Sequence, residues 1–373
     1  MKVALIHDHL AQDGGAEKVL KVLAGMFPEA PIYTLLYEKE NADKYYKNRK
    51  IETSIIQRLP GGVKHYQWYM PFMPMAVEFF DLRNYNIIIS DSSSFAKGVI
   101  TSPNSLHICY CHTPTRYLWD YTHQYINELN YNKFFKKIIS LVLNYIRIWD
   151  RQAADRVDVF AANSLEVQRR ITKYYRRQST VIYPPVEIDN FYISEEIGDY
   201  FLIGGRLAPY KRVDIVIEAF IKMNKKLKIF GDGVDLKRLK KIAANHENIE
   251  FLGRVDNKTL ARLYSQCQAF INPQEEDFGI TVVEAMASGR SVIAYNKGGA
   301  VETVINNKTG LFFKEQTTES IIEAVNKFNS DNFNPAEISK HAEKFSIINF
   351  RNNISNFINN NWERFNNQKQ NNL

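Results

Sequence analysis

The chain has 373 residues, of which 45% are hydrophobic and 24% charged, as is typical of a folded globular protein with two or three domains. This composition excludes wholesale disorder and collagen-like repeats, and three cysteines argue against a disulfide framework and fit a reducing compartment. The apolar stretch before His7 is too short for a signal peptide, and no window of about 18 residues is apolar enough to span a membrane. We therefore expect a cytoplasmic protein.

The net charge of +7 is concentrated in the first half of the chain. Residues 1–190 hold 24 Lys and Arg against 19 Asp and Glu, whereas the remainder holds 24 against 22. A basic half can face an anionic membrane, a phosphorylated lipid or nucleic acid. The sequence has no zinc-finger, RNP-type or basic-zipper pattern, so we expect no nucleic-acid partner. A solvated basic surface without any partner is an equally good interpretation of the net charge alone.

Strand-like and helix-like segments alternate through the first half of the chain. Lys2–His7 is an apolar run typical of a buried strand, and Ala16–Phe27 has apolar residues at helical spacing until Pro28. Further strands are predicted at 31–36, 85–90, 106–111, 157–163 and 179–183, and further helices at 132–155 and 165–175. This alternation predicts a parallel sheet with helices on both faces.

Pro184 and Pro185 interrupt the alternation, which then restarts. Strands are predicted at 199–203, 227–230, 249–252, 269–272 and 291–295, and helices at 213–223, 236–244, 257–266, 281–287 and 320–328. The sequence thus predicts two doubly wound α/β domains and a C-terminal helix, with boundaries at 1–183, 184–345 and 346–373. We expect this helix to return toward the N-terminal domain and its last six residues to be loose. Since such sheets bind ligands outside the carboxyl ends of their strands, we expect a site in the cleft between the domains.

The segment QEEDFGITVVEAMASG (274–289) follows a predicted strand and opens a predicted helix. Glu276 lies in the loop and Glu284 inside the helix, and the main chain around Gly279 brings N–H groups to the helix N-terminus. Such a terminus favours phosphate. Two carboxylates beside it suit a sugar nucleotide, one holding sugar hydroxyls and the other ribose hydroxyls. An ordinary acidic helix start is the alternative interpretation of this segment taken alone.

Several other candidate motifs also directly follow predicted strands. GGRLAPYK (204–211) holds Arg206 and Lys211, which can both reach a diphosphate. DGGAE (13–17) offers two glycines at a helix start, where a phosphate can come close. The main chain of GDG (231–233) and FLGRV (251–255) could meet a nucleotide base. Each signal is weak alone, because glycine-rich or basic loops often follow strands.

Together these motifs resemble the retaining GT-B glycosyltransferases of glycosyltransferase family 4. GGAE, GGRLAPYK, GDG, FLGRV, the E-x7-E segment and GG-x-x-E (298–302) occur in the family's order and spacing over nearly the whole chain. Segments 111–120, 147–158 and 183–189 look like those of the O-antigen and capsule mannosyltransferases. The resemblance implies two Rossmann-like domains facing a central cleft, the first binding the acceptor and the second the nucleotide sugar. It also implies retaining transfer of mannose from GDP-mannose to a lipid-linked (polyprenyl diphosphate) glycan.

The resemblance also implies roles for individual residues. Arg206 and Lys211 would neutralise the donor diphosphate, Glu276 would hold the transferred sugar, Glu284 would bind the ribose, and His112 would lie near the donor sugar. A strand-end histidine that caps a loop is the alternative for His112. The implied donor-binding set is Gly14, Gly15, Gly205, Arg206, Lys211, Gly231, Arg254, Val255, Glu276, Phe278, Gly279, Ile280 and Glu284.

The segment HICYCH (107–112) contains residues of the types that bind metals. Strand alternation places His107, Cys109 and Cys111 on one face and His112 on the other, which argues against a shared metal ion. The sequence has no Asp-x-Asp pattern, and family enzymes of this fold need no metal. We therefore expect neither a metal nor another cofactor.

Two segments could contact the acceptor or a membrane surface. Residues 58–80 combine aromatic and Met side chains with basic ones, and residues 132–149 combine three lysines with an apolar run. Packing in the core is the alternative for both. We place acceptor and membrane contacts at Arg58, Lys64, Trp68, Arg116 and Tyr117, and expect peripheral attachment to the inner face of the cytoplasmic membrane. The alternative functions are transfer from a UDP-sugar, epimerisation of a UDP-sugar, and nucleotide-sugar binding without catalysis.

Overall fold

The computed structural model describes residues 1–11, 14–129 and 131–371. The chain divides into two compact units, one of Met1–Tyr183 with Phe350–Leu373 and the other of Pro184–Asn349. Each unit is built on a parallel sheet, which confirms the predicted pair of doubly wound α/β domains.

The first unit contains a seven-stranded sheet. Its strands are β1 (Val3–His7), β2 (Ile32–Thr34), β3 (Ile51–Thr53), β4 (Ile87–Ser92), β5 (Leu106–Cys111), β6 (Val159–Ala162) and β7 (Ser179–Val181), in the order β3-β2-β1-β4-β5-β6-β7. Its helices are α1 (Gly15–Met26), α2 (Lys39–Tyr46), α3 (Met73–Glu78), α4 (Thr122–Glu128), α5 (Lys133–Asp155) and α6 (Leu165–Arg170). Every residue of the central strands β1, β4 and β5 is buried, as expected of parallel strands covered on both faces.

The second unit contains a six-stranded sheet. Its strands are β8 (Tyr200–Arg206), β9 (Lys226–Asp232), β10 (Ile249–Gly253), β11 (Ala269–Asn272), β12 (Ser291–Tyr295) and β13 (Gly310–Phe313), in the order β10-β9-β8-β11-β12-β13. Its helices are α7 (Val213–Met223), α8 (Leu236–Ile242), α9 (Asn257–Gln266), α10 (Ile280–Ala287), α11 (Ala300–Thr303), α12 (Thr318–Lys327) and α13 (Pro335–Ala342). In each sheet the strand order reverses once, between β1 and β4 and between β8 and β11. This reversal is where doubly wound sheets bind ligands.

The last helix, α14 (Ile347–Asn371), belongs to the first unit from Phe350 onward. The Phe350 ring packs edge-on against Tyr110 of β5 with centroids 5.7 Å apart. The expectation of a loose tail was wrong for residues 368–371, which are helical. Lys369 secures this end, since its Nζ donates to the Asn104 carbonyl at 3.1 Å. Residues 372 and 373 lie outside the described residues.

One buried carboxylate organises the loop that follows β4. Asp8 is 5% exposed and comes directly after β1. Its two oxygens accept hydrogen bonds from four consecutive backbone N–H groups, those of residues 93–96, at 2.6–2.8 Å. A carboxylate with this many charge-assisted bonds is strongly held. Asp8 thus fixes the chain next to the point where the sheet order reverses.

We expect Asp8→Ala to lower the free energy of unfolding by about 3 kcal/mol, because it leaves buried N–H donors without their acceptor. Urea unfolding followed by circular dichroism measures this change. The matched control is Asp81→Ala in the same unit, since Asp81 lies at the surface and pairs with Arg83 at 2.7 Å. Equal stability of the two variants would contradict the role of Asp8.

Candidate functional site

The glycine-rich and charged motifs of the second unit lie at the carboxyl edge of its sheet. Residues 204–211 continue from β8, 231–233 from β9, 251–255 from β10 and 274–289 from β11. Because all these strands run parallel, their carboxyl ends meet at one edge. The structure therefore brings together motifs that are distributed between residues 204 and 289 of the sequence.

A lysine and a glutamate pair at this edge. Lys211 ends a short 3-10 turn after β8, and its Nζ forms an ion pair with Oε1 of Glu276 in the loop after β11. Their side chains are only 15% and 20% exposed, so both charges are partly withdrawn from water. Arg206, the last residue of β8, is exposed at the same edge. The edge thus presents two cations for phosphate oxygens and one carboxylate for hydroxyl groups.

The loop that carries Glu276 is held by the GG-x-x-E segment. The Gly299 N–H donates to the Glu276 carbonyl at 2.7 Å. Gly298 has φ +64°, and a Cβ on it would lie 2.4 Å from the same oxygen. Only glycine tolerates both this conformation and this approach. These two glycines consequently fix the position of the Glu276 backbone at the edge of the sheet.

Helix α10 begins directly after this loop. Its N-cap is Gly279, which has no side chain to cap the first N–H groups, and Ile280 is the first helical residue. The Phe278 ring packs on Phe345, 5.4 Å between centroids, so Phe278 can offer a ligand only its main chain. Inside α10, the Glu284 carboxylate is buried and accepts a hydrogen bond from the Tyr264 hydroxyl at 3.4 Å. Burial and the nearby Glu284 charge raise the pKa of Tyr264, which therefore remains a donor.

The main chains of β8 and β9 lie in close contact where the two strands end. Gly205 and Gly231 are partners in the parallel register, and a Cβ on Gly231 would lie 1.8 Å from the Gly205 carbonyl oxygen. Beside them, the Arg254 side chain is 85% exposed and its Nε lies 3.6 Å from Oδ2 of Asp232. Val255 is partly exposed in the adjacent loop. Only glycine at position 231 permits this close approach of the two strands.

In the first unit, the predicted glycines lie where α1 begins. Gly14 is the N-cap and Gly15 the first helical residue, and the Gly14 N–H donates to Oε2 of Glu17 at 2.9 Å. Asp13 of the same motif lies outside the described residues. This bond to the Glu17 carboxylate fixes Gly14 at the start of α1.

A histidine–carboxylate cluster at the carboxyl edge of the first sheet was only partly found from the sequence. His112, directly after β5, lies 2.6 Å from Oδ1 of Asp91 through its Nε2. Oδ2 of the same carboxylate lies 2.8 Å from Nδ1 of His7, the last residue of β1. Sequence analysis identified His112 but missed His7 and Asp91. The available signal was a polar residue at the end of each apolar run, VALIH and IIISD.

The charges within this cluster support one another. Burial alone lowers the pKa of His7, but the carboxylates of Asp91 and Glu17 outweigh it and raise the pKa to about 10. Burial alone raises the pKa of Asp91, but His112 and His7 outweigh it and hold it below its usual range. The cluster therefore contains a carboxylate between two imidazoles.

The histidine and the two cysteines inside HICYCH, His107, Cys109 and Cys111, are buried. Nε2 of His107 lies 2.9 Å from the Ser90 hydroxyl, and burial lowers the pKa of His107 to about 3. Cys109 and Cys111 lie in an apolar cluster with Phe160. Within residues 1–11, 14–129 and 131–371, no group of three His, Cys, Asp or Glu is arranged to hold a metal ion.

Two of the mannosyltransferase-like segments meet at a buried ion pair. Nζ of Lys97 lies 2.5 Å from Oδ1 of Asp150, which belongs to 147–158. Oδ2 of Asp150 accepts from the Trp119 indole at 2.8 Å and from the Tyr175 hydroxyl at 2.9 Å. Trp119 belongs to 111–120, so Asp150 anchors the loop that begins at His112.

The residues predicted to contact acceptor or membrane lie in different surroundings. Arg58 and Lys64 are exposed, and Trp68 is 66% exposed while its ring stacks on His65. The Arg116 guanidinium lies over the Tyr121 ring at 5.4 Å. The Tyr117 hydroxyl lies 3.1 Å from that of Ser94, and burial raises the pKa of Tyr117.

Comparison with protein families accounts for both units. Residues 13–190 match the model of Glycosyltransferase Family 4, and residues 188–345 match that of the glycosyl transferases group 1. An uncharacterized glycosyltransferase of Methanocaldococcus jannaschii is 29% identical over 187 residues, covering 48% of this chain and 53% of that protein. This chain thus matches about half the length of that relative.

Two full-length similarities extend the comparison. Alpha-1,3/1,6-mannosyltransferase ALG2 of Dictyostelium discoideum is 21% identical over 426 residues, covering 96% of this chain and 98% of that protein. The crystal structure of Alr3699/HepE of Anabaena in complex with UDP shares the fold, with a TM-score of 0.71 and 17% identity over 96% of this chain and 100% of that one. The chain thus combines a region that matches Glycosyltransferase Family 4 with a region that matches the glycosyl transferases group 1, on the two-domain fold of GT-B glycosyltransferase structures.

Proposed function

We propose that this protein is a retaining mannosyltransferase that moves mannose from GDP-mannose onto a lipid-linked glycan during assembly of a surface polysaccharide such as O-antigen or capsule. The observation that carries the proposal is the partly buried Lys211–Glu276 pair beside the start of α10. It combines a cation for a diphosphate with a carboxylate for sugar hydroxyls. Similarity to a mannosyltransferase over 96% of the chain supports mannose as the sugar.

When the donor binds, it replaces the contact between Lys211 and Glu276. The donor diphosphate binds Lys211 and Arg206. The sugar hydroxyls donate to Glu276, and the ribose hydroxyls donate to Glu284. As the bond between the sugar and the phosphate breaks, negative charge grows on the leaving phosphate, and both cations stabilise it. The acceptor hydroxyl attacks from the same face, and its proton passes to a leaving phosphate oxygen. The nucleoside diphosphate departs, and no protein base is required.

A donor panel tests the proposal. GDP-mannose and GDP should raise the melting temperature progressively with concentration, because a ligand that binds only the folded state stabilises it. UDP-, ADP- and dTDP-sugars serve as the comparison. If only UDP-sugars raised the melting temperature, the proposed donor would change from GDP-mannose to a UDP-sugar. A UDP-sugar is the second candidate because Alr3699/HepE forms a complex with UDP. Epimerisation of a free UDP-sugar, or binding without release of nucleotide on addition of a lipid-linked acceptor, would contradict the transferase.

We expect Arg206→Ala and Lys211→Ala each to lower kcat/KM by an amount corresponding to about 2–4 kcal/mol of transition-state stabilisation. Release of nucleoside diphosphate measures it. The matched control is Lys226→Ala, since Lys226 begins β9 at the opposite edge of the sheet and pairs with Asp199 at 2.5 Å. Activities of all three variants equal to that of the wild type would remove the diphosphate assignment.

Attachment to an anionic membrane through the first unit is part of the proposal. None of the helices in the described ranges combines the length and apolarity needed to cross a bilayer. Helix α5 instead has large apolar side chains on its exposed surface, from Phe134 at 68% to Leu141 at 73% and Ile148 at 58%. Between residues 132 and 149 the sequence carries four Lys and Arg and no acidic residue. An apolar face flanked by cations is typical of a helix that lies in the membrane interface.

A second exposed apolar group lies on the neighbouring α3 region. Trp68, Phe72, Met75 and Phe79 are 45–67% exposed, whereas Met73 lies in the same core cluster as the buried side of α5. Residues 58–80 are therefore divided between core and surface. Because the two exposed apolar groups belong to elements that pack on one core cluster, we propose that both contact the bilayer. We propose the inner face of the cytoplasmic membrane as the place of this contact.

Flotation with liposomes containing anionic lipid tests this attachment. Leu141→Ser with Ile148→Ser should reduce flotation at all salt concentrations, whereas Lys136→Glu with Lys137→Glu should reduce it mainly at low salt, because screening weakens the charge contribution of up to about 1 kcal/mol per cation. Ile348→Ser is the control, since Ile348 is 66% exposed in the second unit. Folded α5 variants that float like wild type would exclude α5 as the membrane contact.

A further inference from the structure

His7 is a fully buried histidine with a carboxylate facing each ring nitrogen. Nδ1 lies 2.8 Å from Oδ2 of Asp91, and Nε2 lies 3.9 Å from Oε1 of Glu17. The side chains of His7, Asp91 and Glu17 are 2%, 1% and 8% exposed. Two buried carboxylates around one imidazole are costly unless a cation balances them. His7 therefore sits in the cluster as an imidazolium.

We propose that His7 is a positioning residue that holds two elements of the donor site at once, His112 through Asp91 and the Gly14–Gly15 loop through Glu17. This inference rests on the proposed function and on the place near the donor that the family resemblance implies for His112, Gly14 and Gly15. His7 itself is 3% exposed and has no surface to offer a ligand.

The first connection fixes the proton on His112. Oδ2 of Asp91 accepts from His7, which leaves Oδ1 to accept from Nε2 of His112 at 2.6 Å. An ionised carboxylate can only accept, so Nε2 of His112 must carry a hydrogen. In neutral His112 the other nitrogen, Nδ1, is then an acceptor, suited to a sugar hydroxyl. The charge of His7 keeps Asp91 in the ionised form that selects this tautomer.

The second connection fixes the glycine loop. One oxygen of Glu17 faces His7, and the other accepts the Gly14 N–H at 2.9 Å. Burial raises the pKa of Glu17, but His7 outweighs it and keeps Glu17 ionised. His9 also contributes charge near Glu17, and Tyr110 packs on the Asp91 and His112 side. Among these groups, His7 alone touches both carboxylates in the described residues.

The test compares His7→Gln with His107→Gln. Both histidines are fully buried in the first sheet, but His107 lies near the start of β5, and its Nε2 faces the neutral Ser90 hydroxyl at 2.9 Å. Both variants bury a glutamine, but only His7→Gln also removes the charge between two buried carboxylates. Asp91→Asn, which keeps the shape and removes the charge, is the conservative comparison.

The first readout needs no substrate. With ¹⁵N-labelled histidine, long-range NMR correlations should show His7 protonated on both nitrogens from pH 7 to 9 and His112 as the Nε2–H tautomer. In His7→Gln and Asp91→Asn the His112 preference should be lost, while His107→Gln should retain it. A neutral His7 at pH 8, or an unchanged His112 signal in His7→Gln, would overturn the inference even if no donor were known.

The second readout is kinetic. His7→Gln should lower kcat by about 10-fold to 100-fold through misplacement of the donor, with a much smaller change in donor KM. His107→Gln should keep the wild-type kcat although it also places a glutamine in the core. Equal kcat losses in the two variants would reduce His7 to a structural residue and overturn the proposal. Absence of turnover in the wild type with every nucleotide sugar would contradict the proposed function, and the NMR readout would still decide the role of His7.

Discussion

The parallel hydrogen-bonded register of each sheet is the constraint on which the candidate chemistry depends. In the first sheet it sets His7 directly beside Asp91, and in the second it sets Gly205 beside Gly231. Shifting one strand by a single residue would turn each of these groups to the opposite face. The apolar residues that precede them are buried on both sides and hold the register, so the core decides where the polar strand ends meet.

The charge pairs at these two edges differ in how far they are buried, and this difference separates their roles. The Lys211–Glu276 pair is partly exposed, so a diphosphate and a sugar can replace each partner at small cost. The His7–Asp91 pair is almost completely buried, and separating it would leave a charge without compensation in a medium of low dielectric constant. A pair of the first kind can bind a ligand, whereas a pair of the second kind can only hold its neighbours in place.

The sequence predicted the parts of the fold that have a strong hydrophobic period. It identified the central strands, α5 and α14, but missed β3 and β13, which are short edge strands of three and four residues. It placed Arg206, Lys211, Glu276 and Glu284 in loops and helices that the structure brings to one edge. The sequence did not indicate that Lys211 pairs with Glu276 or that His7 pairs with Asp91. His7 and Asp91 are 84 residues apart in the sequence, and only the strand order makes them neighbours.

Two histidines of the first sheet show why composition and motif could not decide the chemistry. His7 and His107 are both fully buried, on the two strands that flank β4, yet their pKa values lie at about 10 and about 3. Burial lowers both, and only His7 has carboxylates on its two ring nitrogens to reverse the effect. Those carboxylates lie beside His7 because His7 is the last residue of its strand, at the carboxyl edge of the sheet and at the point where the strand order reverses. His107 instead lies near the start of its strand. Position along the strand therefore determines which histidine carries a charge, and a sequence pattern such as HICYCH draws attention to the wrong one.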